Sequence, residues 1–159
     1  MIEEIIESMI NYFGNDVPRI NHALKVYGFS RNIGKLEKLD DDKQFILEVS
    51  AVLHDIGIKI SEEKYNSSSG KYQEVEGPKI AKEILEKFNL DSKTLNRILY
   101  IIGNHHTYSK INGIDFQILV ESDFLVNIFE DNVKKDSIEV IKNKHFKTTY
   151  GTKYLNSMY

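Results

Sequence analysis

The apolar residues of this chain recur mostly at three- and four-residue steps, which is the spacing of one face of an α-helix. A first stripe predicts an amphipathic helix over about residues 2–13. Asn15 and Asp16 then supply an N-cap, and Pro18 lies just inside the next helix, which we expect to run to about Gly34. The N-terminal third therefore indicates two consecutive helices.

The most apolar helix is predicted from Lys43 to about His54, after the acidic cap formed by residues 40–42. Its segment QFILEVSAVLH is apolar on nearly every face, so we expect this helix to be central and buried. Gly57 is well placed to end it.

The second half of the chain is also patterned as helices, after a polar interruption. Residues 61–73 are polar and rich in serine, which predicts a flexible loop that acts as a lid or substrate clamp. Gly77-Pro78 is interpreted as the start of the next helix, to Phe88, and Asp91-Ser92 as the cap of another that ends near residue 105. Two more helices are predicted over about 116–129 and 137–143, before a final aromatic stretch. No strand-like alternation and no internal repeat is present, so the predicted fold class is all-α, in a single domain over 1–159.

Composition narrows the possible functions. With 159 residues, 41% of them hydrophobic, the chain is sufficient for one core. A net charge of −3 with mixed signs excludes a general basic surface for a nucleic-acid polymer. The absence of cysteine excludes disulfides, thiol catalysis and iron–sulfur ligation. The N-terminus has no signal-peptide pattern and no apolar run approaches about 18 residues, so we expect a cytoplasmic protein without a membrane segment.

Candidate chemistry lies in the order of the histidines and aspartates. Four of the five histidines form one series with two aspartates: His22, His54-Asp55, His105-His106 and Asp123. Imidazole and carboxylate are together the ligand set of zinc, manganese, iron, cobalt or nickel. An aspartate at a helix C-terminus opposes the helix dipole, so Asp55 needs a partner, and a cation is the obvious one. The fifth histidine, His145, has no such context and is expected at the surface.

Asp123 lies inside the apolar segment that predicts the 116–129 helix. A carboxylate on a buried face is costly unless it is paired or metal-bound. The alternative is a position on the wet face beside Glu121, but at about 100° per residue these two side chains leave the helix on different faces. By the same rule we expect only one of His105 and His106 to face a site, with the other contacting substrate or a metal ligand.

This series resembles the HD-domain superfamily of metal-dependent phosphohydrolases, whose signature is His…His-Asp…Asp on an all-α bundle. The segment His54-Asp55-Ile56-Gly57 matches the HDIG form of the motif literally. The resemblance covers about residues 16–130 and leaves a C-terminal helical tail over 131–159. It implies one divalent transition metal, of undetermined identity among manganese, iron, cobalt, nickel and zinc, held by His22, His54, Asp55 and Asp123.

The chain departs from the HDIG pattern at one position. Many members of that type also carry a His-Glu-x-x-Gly segment, followed by a His-His pair, that binds a second metal. Here the segment reads QEVEG, and Gln73 replaces the histidine. Because glutamine is a poor ligand for transition metals, one tightly held ion is favoured. Compensation by Glu74 or Glu76, and occupation of the space by substrate phosphate, are the alternatives.

The implied function is hydrolysis of a small phosphate ester, a nucleotide being one candidate, by a phosphomonoesterase or phosphodiesterase. Asp55 is the candidate to orient or deprotonate the attacking water. Lys59 is a candidate to neutralise phosphate charge, and Arg19, one turn before the first ligand, to clamp phosphate bidentately. His105 or His106 is the candidate to protonate the leaving oxygen. The alternative for Lys59 and Arg19 is solvated surface charge.

Other functions and roles stay open at this point. Tyr65, Tyr72 and Tyr108 either stack on a nucleobase or pack within their loops. A di-iron oxygenase of the same fold needs two metals, which Gln73 argues against. A non-catalytic module that binds a metal or senses a ligand, and a helical bundle without metal, are the remaining alternatives. The aromatic stretch 150–159 either packs on the core or mediates a homodimer.

Overall fold

A computed structural model describes residues 1–159 and contains nine α-helices and no β-strand. In chain order the helices are α1 Ile2–Phe13, α2 Val17–Leu36, α3 Asp41–Leu53, α4 Ile58–Tyr65, α5 Gly70–Leu85, α6 Ser92–Ile102, α7 Ile114–Glu130, α8 Lys135–His145 and α9 Thr149–Met158. Short 3₁₀ turns cover Glu86–Phe88 and Tyr108–Lys110. The all-α prediction is confirmed. None of the nine helices combines the length and the apolar composition that crossing a bilayer requires.

Helix α3 lies at the centre of the bundle, where it packs against α1, α2, α6 and α7. Because neighbours cover all its faces, every residue from 46 to 53 is buried, including polar Glu48 and Ser50. These residues belong to a core of 27 buried apolar side chains that extends from Ile5 in α1 to Leu155 in α9. The expectation of a central, buried helix is therefore confirmed.

Side-chain caps begin several helices where the sequence predicts them. The carboxylate of Asp40 accepts a hydrogen bond from the Lys43 amide at 2.8 Å, and that of Asp91 accepts one from the Thr94 amide at 3.0 Å. Helix α3 ends at Leu53, so His54 occupies its C-cap and the next residue lies in the turn before α4. The His-Asp pair is thus held at the end of the most deeply buried helix.

The prediction of a flexible loop over 61–73 is wrong. Helix α4 continues to Tyr65 and α5 begins at Gly70, so only residues 66–69 connect them. The rings of Tyr65 and Tyr72 stack with centroids 4.1 Å apart, and the Tyr65 hydroxyl donates to the buried carboxylate of Glu76 at 2.9 Å. These contacts hold polar segments in helices that their own sequence does not indicate, and no lid of the predicted length exists.

The interpretation of Gly77-Pro78 as a helix start is also wrong, since both residues lie inside α5. At this point of α5 the chain is crossed closely by the turn that contains Gly57, and the crossing requires a glycine at position 57. A Cβ added to Gly57 would lie 2.6 Å from the Gly77 amide nitrogen, so the turn after α3 contacts the backbone of α5 directly. This crossing brings α5 beside the turn that carries the His-Asp pair.

The aromatic C-terminal stretch forms α9 and packs on the core. Leu155 is buried, and the hydroxyl of Tyr159 donates to the carbonyl oxygen of Leu125 on α7 at 2.7 Å. Thr148 caps the helix by accepting from the Gly151 amide at 3.1 Å. Packing on the core is therefore the alternative that the structure shows, and a homodimer stays a prediction.

Candidate metal centre

The four predicted ligands converge at one point although α2 and α7 lie far apart in sequence. His22 projects from α2, Asp123 from α7, and His54 and Asp55 from the end of α3. The Nε2 atom of His22 lies 3.2 Å from Asp123 Oδ1 and 3.3 Å from Asp55 Oδ2. His54 Nε2 lies 3.4 Å from the same Asp55 oxygen. The bundle thus gathers two imidazoles and two carboxylates within contact distance.

The outward-facing nitrogen of each imidazole near this point is already committed to an acceptor. His54 and His105 each donate from Nδ1 to the carbonyl oxygen three residues earlier, at 2.8 Å. His22 donates from Nδ1 to Glu130 Oε2 at 3.0 Å. Because carbonyl and carboxylate oxygens only accept, Nδ1 carries the proton in all three rings. Each neutral ring therefore presents a lone pair at Nε2.

These lone pairs converge on one another and on carboxylate oxygens. His22 Nε2 and His54 Nε2 lie 3.2 Å apart, and neither has a proton to offer in its neutral state. Acceptors at this distance repel unless a cation or an added proton lies among them. His54 is fully buried, and the side chains of Asp55 and Asp123 are each 16% exposed, so the acceptors meet in a largely buried place. Nitrogen and oxygen donors arranged in this way fit a divalent transition metal.

Protonation is the competing way to relieve the repulsion. Burial lowers the pKa of His54, but the charges of Asp55 and Asp123 outweigh it and raise that pKa well above its ordinary value. The pKa of His22 is also raised, because the hydrogen bond to Asp123 and the nearby carboxylates outweigh burial. Burial raises the pKa of Asp55, but His54 and His105 lower it by more than burial raises it, so this pKa lies well below its usual range. Protons and a metal ion therefore compete for the same atoms.

A second group of possible ligand atoms adjoins the first. Asp55, His105 and His106 offer atoms within 4.8 Å of one another, and His105 Nε2 lies 3.3 Å from Asp55 Oδ1. His106 Nε2 instead contacts Gln73 Oε1 at 3.0 Å, while the Gln73 amide nitrogen donates to the Ser68 carbonyl at 2.7 Å. Gln73 Oε1 must then accept a hydrogen bond from His106 Nε2, so this nitrogen carries a proton and has no lone pair for a metal. His105 is the member of the pair that faces Asp55.

A family model, HD domain, matches residues 19–148, a range that contains the whole cluster. The chain belongs to the HD-domain family. Among solved structures, the chain is similar to a predicted HD superfamily hydrolase from an uncultured Thermotogales bacterium, whose crystal structure was determined at 1.45 Å resolution. The two are 21% identical with a TM-score of 0.71, over 98% of this chain and 83% of the other, which shows the shared fold. No protein with a curated function matches this chain.

Membership of the HD-domain family supports a metal-dependent hydrolase in general. The local geometry agrees with that class, because the His-Asp pair that names the family lies in the cluster of acceptors. The substrate is a separate question, since a fold hosts many chemistries and only the site can distinguish among them.

Two residues predicted to contact phosphate have other partners in this HD-domain protein. The Lys59 ammonium donates to the Tyr12 carbonyl oxygen of α1 at 3.1 Å and lies over the ring of the same tyrosine. The Arg19 guanidinium pairs with Asp16, 2.7 Å away, and with Glu62 of α4. Neither side chain contacts the four acceptors. The surface-charge alternative therefore describes Lys59, and Arg19 joins α2 to α4 through ion pairs.

Two features of this region are absent from the sequence predictions. Glu130, the partner of His22, lies seven residues after Asp123, so helical spacing alone places the two on one side of α7. His145 is packed against aromatic rings: its ring centroid lies 4.5 Å from that of Tyr108 and 4.9 Å from that of Phe124. His145 is partly exposed, and no local signal in the sequence marks its contacts with these two rings.

Proposed function

We propose that this HD-domain protein hydrolyses a small phosphate ester at a site where His22, His54, Asp55 and Asp123 hold one divalent transition metal. The observation that carries the proposal is the convergence of acceptors: two imidazole lone pairs and two carboxylates face one point with no proton among them in their neutral and ionised forms. A cation is the partner that satisfies all four at once.

The roles of the chain's own groups follow from their contacts. A divalent ion held by these four residues would supply a water of lowered pKa and would polarise a phosphoryl oxygen. Asp55 uses Oδ2 within the cluster and turns Oδ1 toward His105 Nε2 at 3.3 Å, so it can orient the water and take its proton. His105 is held by its Nδ1 bond to the Ile102 carbonyl, which leaves Nε2 free to move that proton toward the leaving oxygen.

The surroundings favour a substrate with negative charge. Helix α5 begins beside His106, because a Cβ added to Gly70 would lie 2.9 Å from that ring. The amides of Gly70 and Lys71 have no acceptor in the protein, whereas the next two amides bond to the Ser69 carbonyl. A helix N-terminus with free amides carries partial positive charge that suits a phosphate. This feature replaces the phosphate contacts predicted for Arg19 and Lys59.

One metal is favoured over two by the pairing of Gln73 with His106. Gln73 Oε1 accepts a hydrogen bond from His106 Nε2, and the Gln73 side-chain nitrogen donates to the Ser68 carbonyl. His106 Nε2 is therefore not available to a second ion. A di-iron oxygenase needs the second ion, so the metal stoichiometry separates it from the hydrolase.

The test begins with the metal content of the purified, unchelated protein. We would measure it by elemental analysis beside Asp55→Ala and, as a matched control, Asp136→Ala, which removes an exposed carboxylate of α8. We expect about one transition metal per chain in the wild type and the control and a large loss in Asp55→Ala. The loaded protein is then assayed on phosphomonoesters, phosphodiesters and nucleotides.

Each outcome decides among the alternatives. Hydrolysis that depends on the metal and disappears in Asp55→Ala, with the helical content retained, supports the phosphohydrolase. Two irons per chain would support the oxygenase and show that Gln73 does not prevent a second site. A tightly held metal without turnover of any ester would indicate a structural or sensing module. No metal, with none taken up from manganese, cobalt or nickel, would overturn the proposal.

A further inference from the structure

The outer partner of His22 differs in kind from those of the other two inward-facing histidines. His54 and His105 donate to backbone carbonyl oxygens of their own chain segments. His22 donates to a side-chain carboxylate from another helix, Glu130 Oε2, at 3.0 Å. The second oxygen of that carboxylate, Oε1, accepts from Lys25 Nζ at 2.5 Å. Lys25 lies on α2 three residues after His22, so these three side chains form a closed group.

We propose that Glu130 is a positioning residue that, with Lys25, holds the His22 ring toward the metal centre and sets how tightly the metal is bound. This inference rests on the proposed metal-binding function of His22. It assigns a role to the last residue of α7, which belongs to no ligand set.

The first argument is geometric. A hydrogen bond from Nδ1 to Glu130 fixes both the tautomer and the rotation of the His22 ring, so Nε2 remains 3.2 Å from Asp123 Oδ1 and 3.3 Å from Asp55 Oδ2. A carboxylate acceptor also increases the basicity of the ligand nitrogen. Without Glu130, the Nδ1 proton has no partner, and either ring nitrogen can carry the proton.

The second argument concerns charge. Both oxygens of Glu130 are engaged, one by His22 and one by Lys25, so neither is free to act as a ligand itself. Lys25 also balances the negative charge of Glu130, whose partner His22 contacts the carboxylates of Asp55 and Asp123. The arrangement therefore orients the histidine without adding a fifth donor or an uncompensated charge to the site.

The competing explanation is that Glu130 only links α7 to α2 through its ion pair with Lys25. The Lys25–Glu130 pair has side-chain exposures of 47% and 29%, and ion pairs of that kind contribute little to stability. The chain offers a matched control in Glu62, which pairs with Arg19 of the same helix α2 but contacts no histidine. A variant of Glu62 breaks a comparable link between helices and leaves the His22 ring alone.

The experiment measures the dissociation constant of Co²⁺ by competition with a chromogenic chelator, using the full chain after removal of metal. We expect Glu130→Ala to weaken binding by about 10–100-fold. Glu130→Gln keeps an acceptor for Nδ1 and should recover most of that loss, whereas Glu62→Ala should leave the dissociation constant unchanged. Visible absorption of the bound Co²⁺ provides a second readout, which should change in Glu130→Ala because the ligand ring is misplaced.

Two results would overturn the inference. One is a Co²⁺ affinity of Glu130→Ala equal to that of the wild type, and the other is equal weakening in Glu130→Ala and Glu62→Ala, which would show a general effect on the bundle. His22→Asn separates this failure from failure of the proposed function. If His22→Asn loses the metal and Glu130→Ala does not, only the positioning role fails; if the wild type binds no Co²⁺, both fail. Circular dichroism checks that each variant is folded.

Discussion

Two carboxylates on α7, two residues apart, occupy opposite kinds of environment. Glu121 is completely buried and surrounded by donors: Oε1 accepts from the Thr148 hydroxyl at 2.8 Å, and Oε2 accepts from the Gln117 amide at 2.8 Å and the Thr148 backbone amide at 3.2 Å. Asp123 Oδ1 accepts one hydrogen bond, from the Asn127 side-chain amide at 3.0 Å, and otherwise meets the ring nitrogens of His22 and His54, which are acceptors in their neutral form.

The partners of a buried carboxylate distinguish a candidate metal ligand from a structural residue. Burial raises the pKa of Glu121, and hydrogen bonds from its neighbours oppose that rise only in part. Burial also acts to raise the pKa of Asp123, but the hydrogen bonds to His22 and His54 outweigh it and hold that pKa far below its usual range. A buried carboxylate whose oxygens all accept from fixed donors is structurally complete, whereas one that faces neutral imidazole nitrogens requires either a metal ion or protonation of those rings.

Removal of the Asp123 carboxylate should affect metal binding more strongly than any other change considered for α7. Asp123→Asn should weaken metal binding by more than about 100-fold, because it removes a ligand rather than an outer partner. Glu121→Gln should leave the metal content of the protein unchanged. Elemental analysis and chelator competition on both variants check this. Loss of metal in Glu121→Gln as well would show that the two carboxylates are not functionally separate.

Removal of the Glu121 carboxylate should reduce the stability of the fold rather than metal binding. Glu121→Ala leaves the buried amide and hydroxyl of Thr148 without their acceptor, while the Gln117 amide keeps only the His145 carbonyl, and we expect unfolding to become easier by about 2–3 kcal/mol. Urea denaturation measures this change. Since α9 begins at this contact, limited proteolysis should cut near residues 146–149 faster than in the wild type. Metal affinity unchanged alongside the lost stability would sharpen the distinction between the two carboxylates.

Gly151 lies against the Glu121 contact and tests how closely it is packed, and Gly28 in α2 serves as the control. A Cβ at Gly151 would overlap Glu121 Oε1 and lie 2.7 Å from Thr148 Oγ1, so Gly151→Ala should destabilise the protein by about 1–3 kcal/mol. Gly28, inside α2, has nothing within 4 Å of the same added atom. Gly28→Ala should therefore stabilise the protein by about 0.5–1 kcal/mol. Thermal unfolding compares them, and equal effects would contradict the packing described at Glu121.

The smallest effect is a dependence on pH. The pKa values of His22 and His54 are raised in the folded, metal-free protein, so the stability they contribute is complete below the ordinary histidine pKa of about 6.5. That contribution is lost as pH rises through the folded values. Metal binding needs deprotonated rings, so its stabilisation grows over the same range. The difference in Tm between metal-loaded and metal-free protein should widen as the pH rises above the ordinary histidine pKa of about 6.5 and through the raised folded values.

Glu121 provides the control for this measurement. Its raised pKa has the same sign, giving stability at low pH that is lost as pH rises through the folded value, but the effect does not depend on metal. Glu121→Gln should therefore shift the curves of the metal-loaded and metal-free protein together. Parallel curves for the wild type at all pH values would contradict the competition between protons and metal at the histidines.

Features that depend on local interactions could be predicted from the amino-acid sequence. Helical spacing identified the class of fold and the buried α3, and the caps Asp40 and Asp91 are confirmed because each bonds an amide three residues on. The order of histidines and aspartates identified four residues that the structure brings together. Their binding of a metal stays a prediction.

Tertiary structure alone decided the rest, because those features depend on residues distant in sequence. Polar segments around residues 61–73 lie in helices where Tyr65 stacks on Tyr72, and Gly77 lies inside α5, where the turn at Gly57 crosses its backbone. Packing also separated Glu121 from Asp123: one turns toward Thr148, 27 residues later, and the other toward imidazoles from earlier helices. Periodicity can place a carboxylate on a face of a helix, but only the packed bundle decides whether donors or acceptors meet it there.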